Sequence, residues 1–150
     1  MPALDVDGRR IQGTTKIARY LEETRPEPSL YPSDAGRRGK VEAAELWGEA
    51  VFQPMPRRFF RWVLRHDSDM RVSLAEGIGM PVPRLAAAAN LPVVTLLGLA
   101  AGSTAEAVRG DLAQLPSVLD HVDALIEEGT IDADHRTAAD FQILTTVQAR

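Results

Sequence analysis

Three prolines in seven residues, Pro26, Pro28 and Pro32 in the stretch RPEPSLYPSDAG, set the first limit on what this chain can become. Proline fixes its own φ, lacks an amide donor and pushes the residue before it out of the α region, so neither helix nor sheet accommodates such a run. The segment reads as a linker over 26–36, and the patterns on its two sides differ in kind. Strands are legible only before it; everything after it has helical spacing.

Before the linker, ALDV (3–6) and RRIQ (9–12) flank Asp7-Gly8, a dipeptide that tolerates the positive φ angles of a two-residue hairpin turn. An antiparallel hairpin is expected there. Gly13-Thr14-Thr15 then supplies a corner and a hydroxyl N-cap, after which Ile17, Tyr20 and Leu21 share one face of a helix running to about Thr24.

After the linker, the apolar positions Val41, Ala44, Val51, Met55, Phe59 and Trp62 recur at steps of three, four or seven, giving a helix over 37–66 that Pro54 and Pro56 should interrupt. Gly48, on the same line, would let a neighbouring helix approach closely. The Ala- and Pro-rich stretch 68–102 is expected to hold one or two shorter helices. A second stripe, Leu112, Leu115, Leu119, Val122 and Ile126, predicts a helix over 104–128 that Gly129 ends. Finally, Thr137 stands three residues before Asp140, the spacing at which each side chain can bond the other's backbone N–H in a carboxylate variant of the capping box. The fold class is therefore α+β: a β-hairpin and helix in 1–25, the linker, and an all-helical region over 37–150.

Composition narrows the function. A net charge of −4 gives no general attraction to a phosphate backbone, so nucleic acid is not an expected partner. The chain has no cysteine, hence no disulfide, no Cys/His zinc site and no thiol nucleophile within these 150 residues. The N-terminus lacks the pattern of a signal peptide, and the most apolar run, Leu85 to Ala101, is shorter than the roughly 20 residues of a membrane span and contains Asn90 and Pro92. A buried helix pair in a cytoplasmic protein with no membrane partner is the expectation.

The residues MPALDVDGRRIQGTTKIARYLEE resemble the second half of the thioredoxin-like domain of cytosolic glutathione transferases: a Pro before a strand, a DG hairpin, a small or hydroxyl corner, then I-x-x-Y-L. LDHVDALIEEGT followed by TAADFQI is similar to the family's all-helical domain with its capped core helix. In that family a strand, a helix and another strand come before the equivalent of Met1-Pro2, so the resemblance implies a partial thioredoxin-like domain followed by a helical domain incomplete at its end. It implies glutathione as co-substrate, a small hydrophobic electrophile, and a homodimer. The glutathione-binding positions it implies are Met1 and Pro2, the cis-proline corner whose backbone takes the cysteinyl part, and Gly13 and Thr14, with Thr14 bonding the γ-glutamyl carboxylate. Where the family commonly has Glu or Gln, Gly13 offers no side chain. The thiol-activating residue of the family matches no position here, so no catalytic residue is assigned. Function as a glutathione-transferase-like enzyme when complete is the leading reading; a non-catalytic binding or assembly module, or an inactive truncated product, are the alternatives.

Independently of the family, a helix N-terminus with unsatisfied amides and the positive end of its dipole is a ready site for a carboxylate, and Lys16 would add charge. Hydroxyls at such positions also cap helices without any ligand. Trp47, Phe52 and Phe59 are candidates for the electrophile pocket, although at least half of the aromatic set with Phe60 and Trp62 should be core. Arg57, Arg61 and Arg65 share a helical face that reads as solvated. His66, His121 and His135 share no ligand spacing, so no metal site is expected. The glycine-bearing stretches 36–40 and 98–104 lack the full phosphate-loop form.

A two-stranded hairpin is marginal alone and leaves open edges. Self-association of the 150-residue chain is therefore expected in light scattering coupled to size exclusion; a monodisperse monomer with a cooperative melt would contradict it.

Overall fold

A computed structural model describes residues 2–132 and 135–147. Asp7 and Gly8 both take positive φ, +49° and +77°, as a tight primed turn requires, and they join β1 (Ala3–Val6) to β2 (Arg9–Gln12) with Leu4 opposite Ile11. The helices are α1 (Thr14–Thr24), α2 (Ala35–Trp47), α3 (Pro54–His66), α4 (Ser68–Gly77), α5 (Pro83–Ala89), α6 (Leu91–Ala100), α7 (Ala105–Glu127) and α8 (Ala138–Val147). A π-helical segment, Gly48–Phe52, separates α2 from α3. The chain is thus mostly helical with one two-stranded antiparallel sheet.

The described residues of 1–53 and 117–150 form one compact unit and Pro54–Pro116 a second. In the first unit, α8 is the centre of the core: Ala139 and Ile143 are fully buried, and α8 packs on α2 and on the π-helical segment. Gly48 makes that approach possible, because a Cβ at this position would stand 3.0 Å from Gln142 Cγ and 3.1 Å from Ile143 Cγ1. Gln53 Nε2 donates to the Gln142 carbonyl across the same contact. The start of α8 is fixed by Asp140, which accepts from the Thr137 N–H at 2.7 Å, the Thr137 hydroxyl at 2.7 Å and the Asp132 N–H at 2.9 Å. The expected reciprocal box is therefore modified. The carboxylate is the stronger acceptor, and it takes the hydroxyl proton as well as the amide.

The second unit is tied by Arg58, whose guanidinium grips the Asp111 carboxylate with two bonds of 2.7 and 2.6 Å, and by the Ser103 hydroxyl, which donates to the Arg58 carbonyl. Gly98 lies against the Arg61 backbone and side chain.

Three expectations change. The helix over 37–66 is interrupted one turn earlier than the prolines alone suggest, by the π-helical segment, which inserts before Pro54. The Leu85–Ala101 helix pair forms, bent by 46°, but is not buried: α6 turns Leu91, Val94, Thr95 and Gly98 inward and leaves Leu96 69% and Leu97 60% exposed. No single helix among the described residues is long and apolar enough to cross a membrane. On α7 the buried residues are Val108, Val118, Val122 and Leu125, whereas Leu112, Leu115, Leu119 and Ile126 stay exposed. The helix carries two adjacent apolar faces: of the expected stripe Val122 is buried as expected, and the other four members face outward.

Gly48→Ala should lower stability by about 1–3 kcal/mol, since neighbours in a filled core must move. Gly39→Ala, in the interior of α2 with nothing within 4 Å of a new Cβ, should raise it by about 0.5–1 kcal/mol. Urea denaturation of the two variants beside the parent chain measures both.

Candidate functional site

The corner between β2 and α1 is shaped by Gly13, whose φ of +101° turns the chain from strand into helix. Its N–H donates to the Pro2 carbonyl at 3.0 Å, which holds the start of β1 beside the corner. Gly13 itself is the N-cap, and no side chain caps α1. This corrects the expected hydroxyl cap: Thr14 and Thr15 already lie inside the helical first turn, past the position from which a side chain reaches the orphan amides. The Thr14 hydroxyl makes no hydrogen bond among the described residues, and the Thr15 hydroxyl donates instead to Glu49 Oε2 at 2.8 Å. No acid occupies the first turn.

A shallow basin of about 430 Å³ opens beside this helix end, lined by Arg9, Arg10, Ile11, Gln12 and Lys16. Arg10 is held by Asp5 through Nε and Nη2, each at 2.8 Å, whereas Arg9 and Lys16 carry no ion pair among the described residues. The basin's lining takes in neither Gly13 nor Thr14, so the uncapped amides with the spare Thr14 hydroxyl and the cations Arg9 and Lys16 are two neighbouring features along the chain, each of which favours an anionic group. Met1 lies outside the described residues, so its expected role, and the geometry of the bond it shares with Pro2, are not described.

The helix that carries the corner is held from behind by a buried polar cluster that the sequence pattern did not reveal. Tyr31, 2% exposed, donates its hydroxyl to both oxygens of Glu45, 3.1 and 3.0 Å away, and Glu45 is itself 1% exposed. Arg19 of α1 reaches Glu42 at 3.1 Å and Glu45 at 3.6 Å. The guanidinium carbons of Arg19 and Arg38 lie 4.9 and 5.3 Å from the Tyr31 ring centre. The linker is drawn in with them: Ser29 and the Leu30 N–H bind the Glu22 carboxylate, and the Leu30 carbonyl accepts from the Ala138 N–H of α8. The only available sequence sign was an ionisable residue, Glu45, on the same helical line as Val41.

Of the aromatic candidates, Trp47 stacks on Phe52 with ring centres 5.6 Å apart and meets the His121 ring edge-on at 4.4 Å; Phe52 is buried. Phe59 and Phe60 lie exposed on α3 of the second unit, where Trp62 stacks on His66. Arg57 is exposed, while Arg61 and Arg65 are half-buried. Among the described residues no group of three His, Asp or Glu side chains comes together to hold a metal ion.

No family model matches the chain, and no solved structure matches it. Two curated proteins of Drosophila melanogaster are similar to part of it. The probable maleylacetoacetate isomerase 1 is 45% identical over 47 residues, 31% of this chain and 19% of the isomerase. The probable maleylacetoacetate isomerase 2 is 46% identical over 41 residues, 27% of this chain and 18% of the isomerase. The chain thus aligns with less than a fifth of the length of either relative.

Burial pushes the Glu45 carboxyl above its ordinary 4.5, opposed by the Tyr31 hydroxyl and then by Arg19. A carboxyl raised in the folded state loses stability for the fold as pH climbs from its ordinary value through the raised one. The Tyr31 bond moderates that loss. Tyr31→Phe should therefore cost about 1–3 kcal/mol at neutral pH and less as the pH falls below the ordinary 4.5, where Glu45 becomes mostly protonated whether folded or not; chemical denaturation across that range checks the slope.

Proposed function

We propose that this chain belongs to a glutathione-transferase-like protein, and that the corner at the start of α1 takes the γ-glutamyl carboxylate of glutathione. The observation that carries this reading is the uncapped N-terminus of α1, with its spare Thr14 hydroxyl and with Lys16 in its first turn. The partial similarity to two isomerases of the glutathione transferase family supports it coarsely. In this reading the Thr14 hydroxyl and the first-turn amides hold the carboxylate, Lys16 balances its charge, and the Pro2 corner receives the cysteinyl part. Bound glutathione supplies a thiol nucleophile for small hydrophobic electrophiles, conjugated or reduced; the relatives' names add isomerisation as a third reaction to assay, with the dicarboxylate maleylacetoacetate as its substrate. No catalytic residue is assigned in this chain. The division into a partial thioredoxin-like domain, a linker and a helical domain, the homodimer and the cytoplasmic setting belong to the same proposal.

A second reading, a binding or assembly module without catalysis, is favoured by one feature. Gly13 stands where the family commonly places Glu or Gln, so one ligand contact is missing.

The chain should be retained on immobilised glutathione and released by free glutathione. Thr14→Asp should abolish retention by repelling the carboxylate, while its melting temperature holds or rises, because an acid in the first turn suits the helix dipole by about 0.3–1 kcal/mol. Failure of the parent chain to be retained, or retention unchanged by Thr14→Asp, would overturn the site. Retention without turnover of any electrophile favours the second reading.

A further inference from the structure

The second unit leaves uncovered the least polar stretch of the chain. Over 77–105 the one charged residue is Arg84, and over 83–101 the only other polar side chains are Asn90 and Thr95, with no aromatic among them. Leu85, Ala89, Val93 and Leu97 follow at steps of four, one line along α5 and α6 across their 46° bend, and all four are exposed, Leu85 by 66% and Val93 by 54%. Leu96 and Leu99 stand exposed beside that line. A helix that is apolar all round is ordinarily sunk in a core or in lipid. α6 is such a helix, yet the side it turns inward is narrow, and the rest of its surface has no cover within the unit.

Chemistry and charge together say what suits this face. Surfaces that dock proteins centre on aromatic, Met and Arg side chains inside a polar rim. The outer face of α5 and α6 presents aliphatic side chains alone: Thr95 is half-buried on the inward side, and the Asn90 amide is spent on the Ala86 carbonyl at 2.9 Å. Hydrocarbon asks for no hydrogen-bond donor or acceptor, so it is the partner such a face fits. The charge around it is of one sign. Pro54–Pro116 has seven arginines against five acidic residues, in a chain whose net charge is −4. Arg84, at the start of α5, is exposed and carries no ion pair among the described residues, and α6 packs on α3, the helix of Arg57, Arg61 and Arg65. An apolar helical face bordered by cations attaches to anionic lipid by burying the one and pairing the other. The ten residues of α6 measure about 15 Å, half the hydrocarbon thickness of a bilayer, so the helix lies along the surface and does not cross it.

We propose that the outer face of α5 and α6 rests on an anionic phospholipid bilayer, its leucines and valines among the upper acyl chains and Arg84 among the phosphates. The expectation of no membrane partner assumed a buried helix pair. Peripheral attachment needs no spanning segment, is compatible with a cytoplasmic setting, and stands whether or not glutathione binds at the α1 corner.

In a density gradient the 150-residue chain should float with vesicles of equal parts phosphatidylglycerol and phosphatidylcholine, and should partition at least about tenfold less into phosphatidylcholine alone. Salt at about 1 M, where the screening length falls to about 3 Å, should remove most of that difference. Arg84→Gln should weaken binding to the anionic vesicles about fivefold, the worth of one cation near such a surface, and leave the neutral ones unchanged. Leu96→Glu combined with Leu97→Glu should lower anionic-vesicle binding at least about tenfold. Leu112→Glu combined with Leu119→Glu, both exposed on α7, changes the net charge equally and should float as the parent does. Far-ultraviolet circular dichroism should be the same for all. Absence of flotation with anionic vesicles, or equal losses from the two leucine pairs, would overturn the proposal. So would a dimer in light scattering that Leu96→Glu with Leu97→Glu alone dissolves, in a chain that does not float, since a second copy would then be the occupant of the face.

Discussion

A carboxylate almost sealed from water organises the first unit. Removing an ionisable group from solvent is costly unless hydrogen bonds and opposite charge replace the water, and Glu45 receives both, from the Tyr31 hydroxyl and the Arg19 guanidinium. Those two partners come from the linker and from α1, so satisfying one side chain of α2 settles where three separate pieces of chain must lie. Arg38 and Arg19 stacked on the Tyr31 ring close the cluster from above. The corner at Gly13 is therefore not a free-standing turn at the end of a hairpin. It is the tip of a helix whose body is fastened by charge-assisted bonds at Thr15 and Arg19, which keeps its first-turn amides pointing in a defined direction.

How much of this was legible depends on how local the cause is. Asp7-Gly8 fixed its own turn, and Thr137 and Asp140, three residues apart, announced the start of α8. Each depends on neighbours in sequence. The π-helical segment did not announce itself, because widening a helix by one residue needs no special side chain, only the tight seat of Gly48 against α8. On α7, leucines and valines draw two apolar faces side by side. Periodicity finds both; only the neighbours decide which is covered. The Tyr31–Glu45 bond was beyond reach because it depends on the path of a proline-rich segment, which pattern reading treats as mere spacer.

The candidate site divides in the same way. The corner and its Thr14 were readable from a small residue followed by two hydroxyls at a helix start. Its details were not: the hydroxyls do not cap the helix, and Thr15 is committed to Glu49. Trp47 and Phe52 were recognised as aromatic candidates but not as each other's packing partners, since five residues along a regular helix would not stack their rings. Inserting the π turn between them brings the rings to near-parallel contact.

Asp140 carries a last implication. Its two oxygens hold the amide of Asp132, on the approach to α8, and the amide and hydroxyl of Thr137, at the helix threshold. A single buried carboxylate thus joins Asp132 to Thr137. Neither contact can break without leaving that carboxylate short of a donor in the interior, so the most buried helix of the first unit draws part of its stability from the residues just ahead of it.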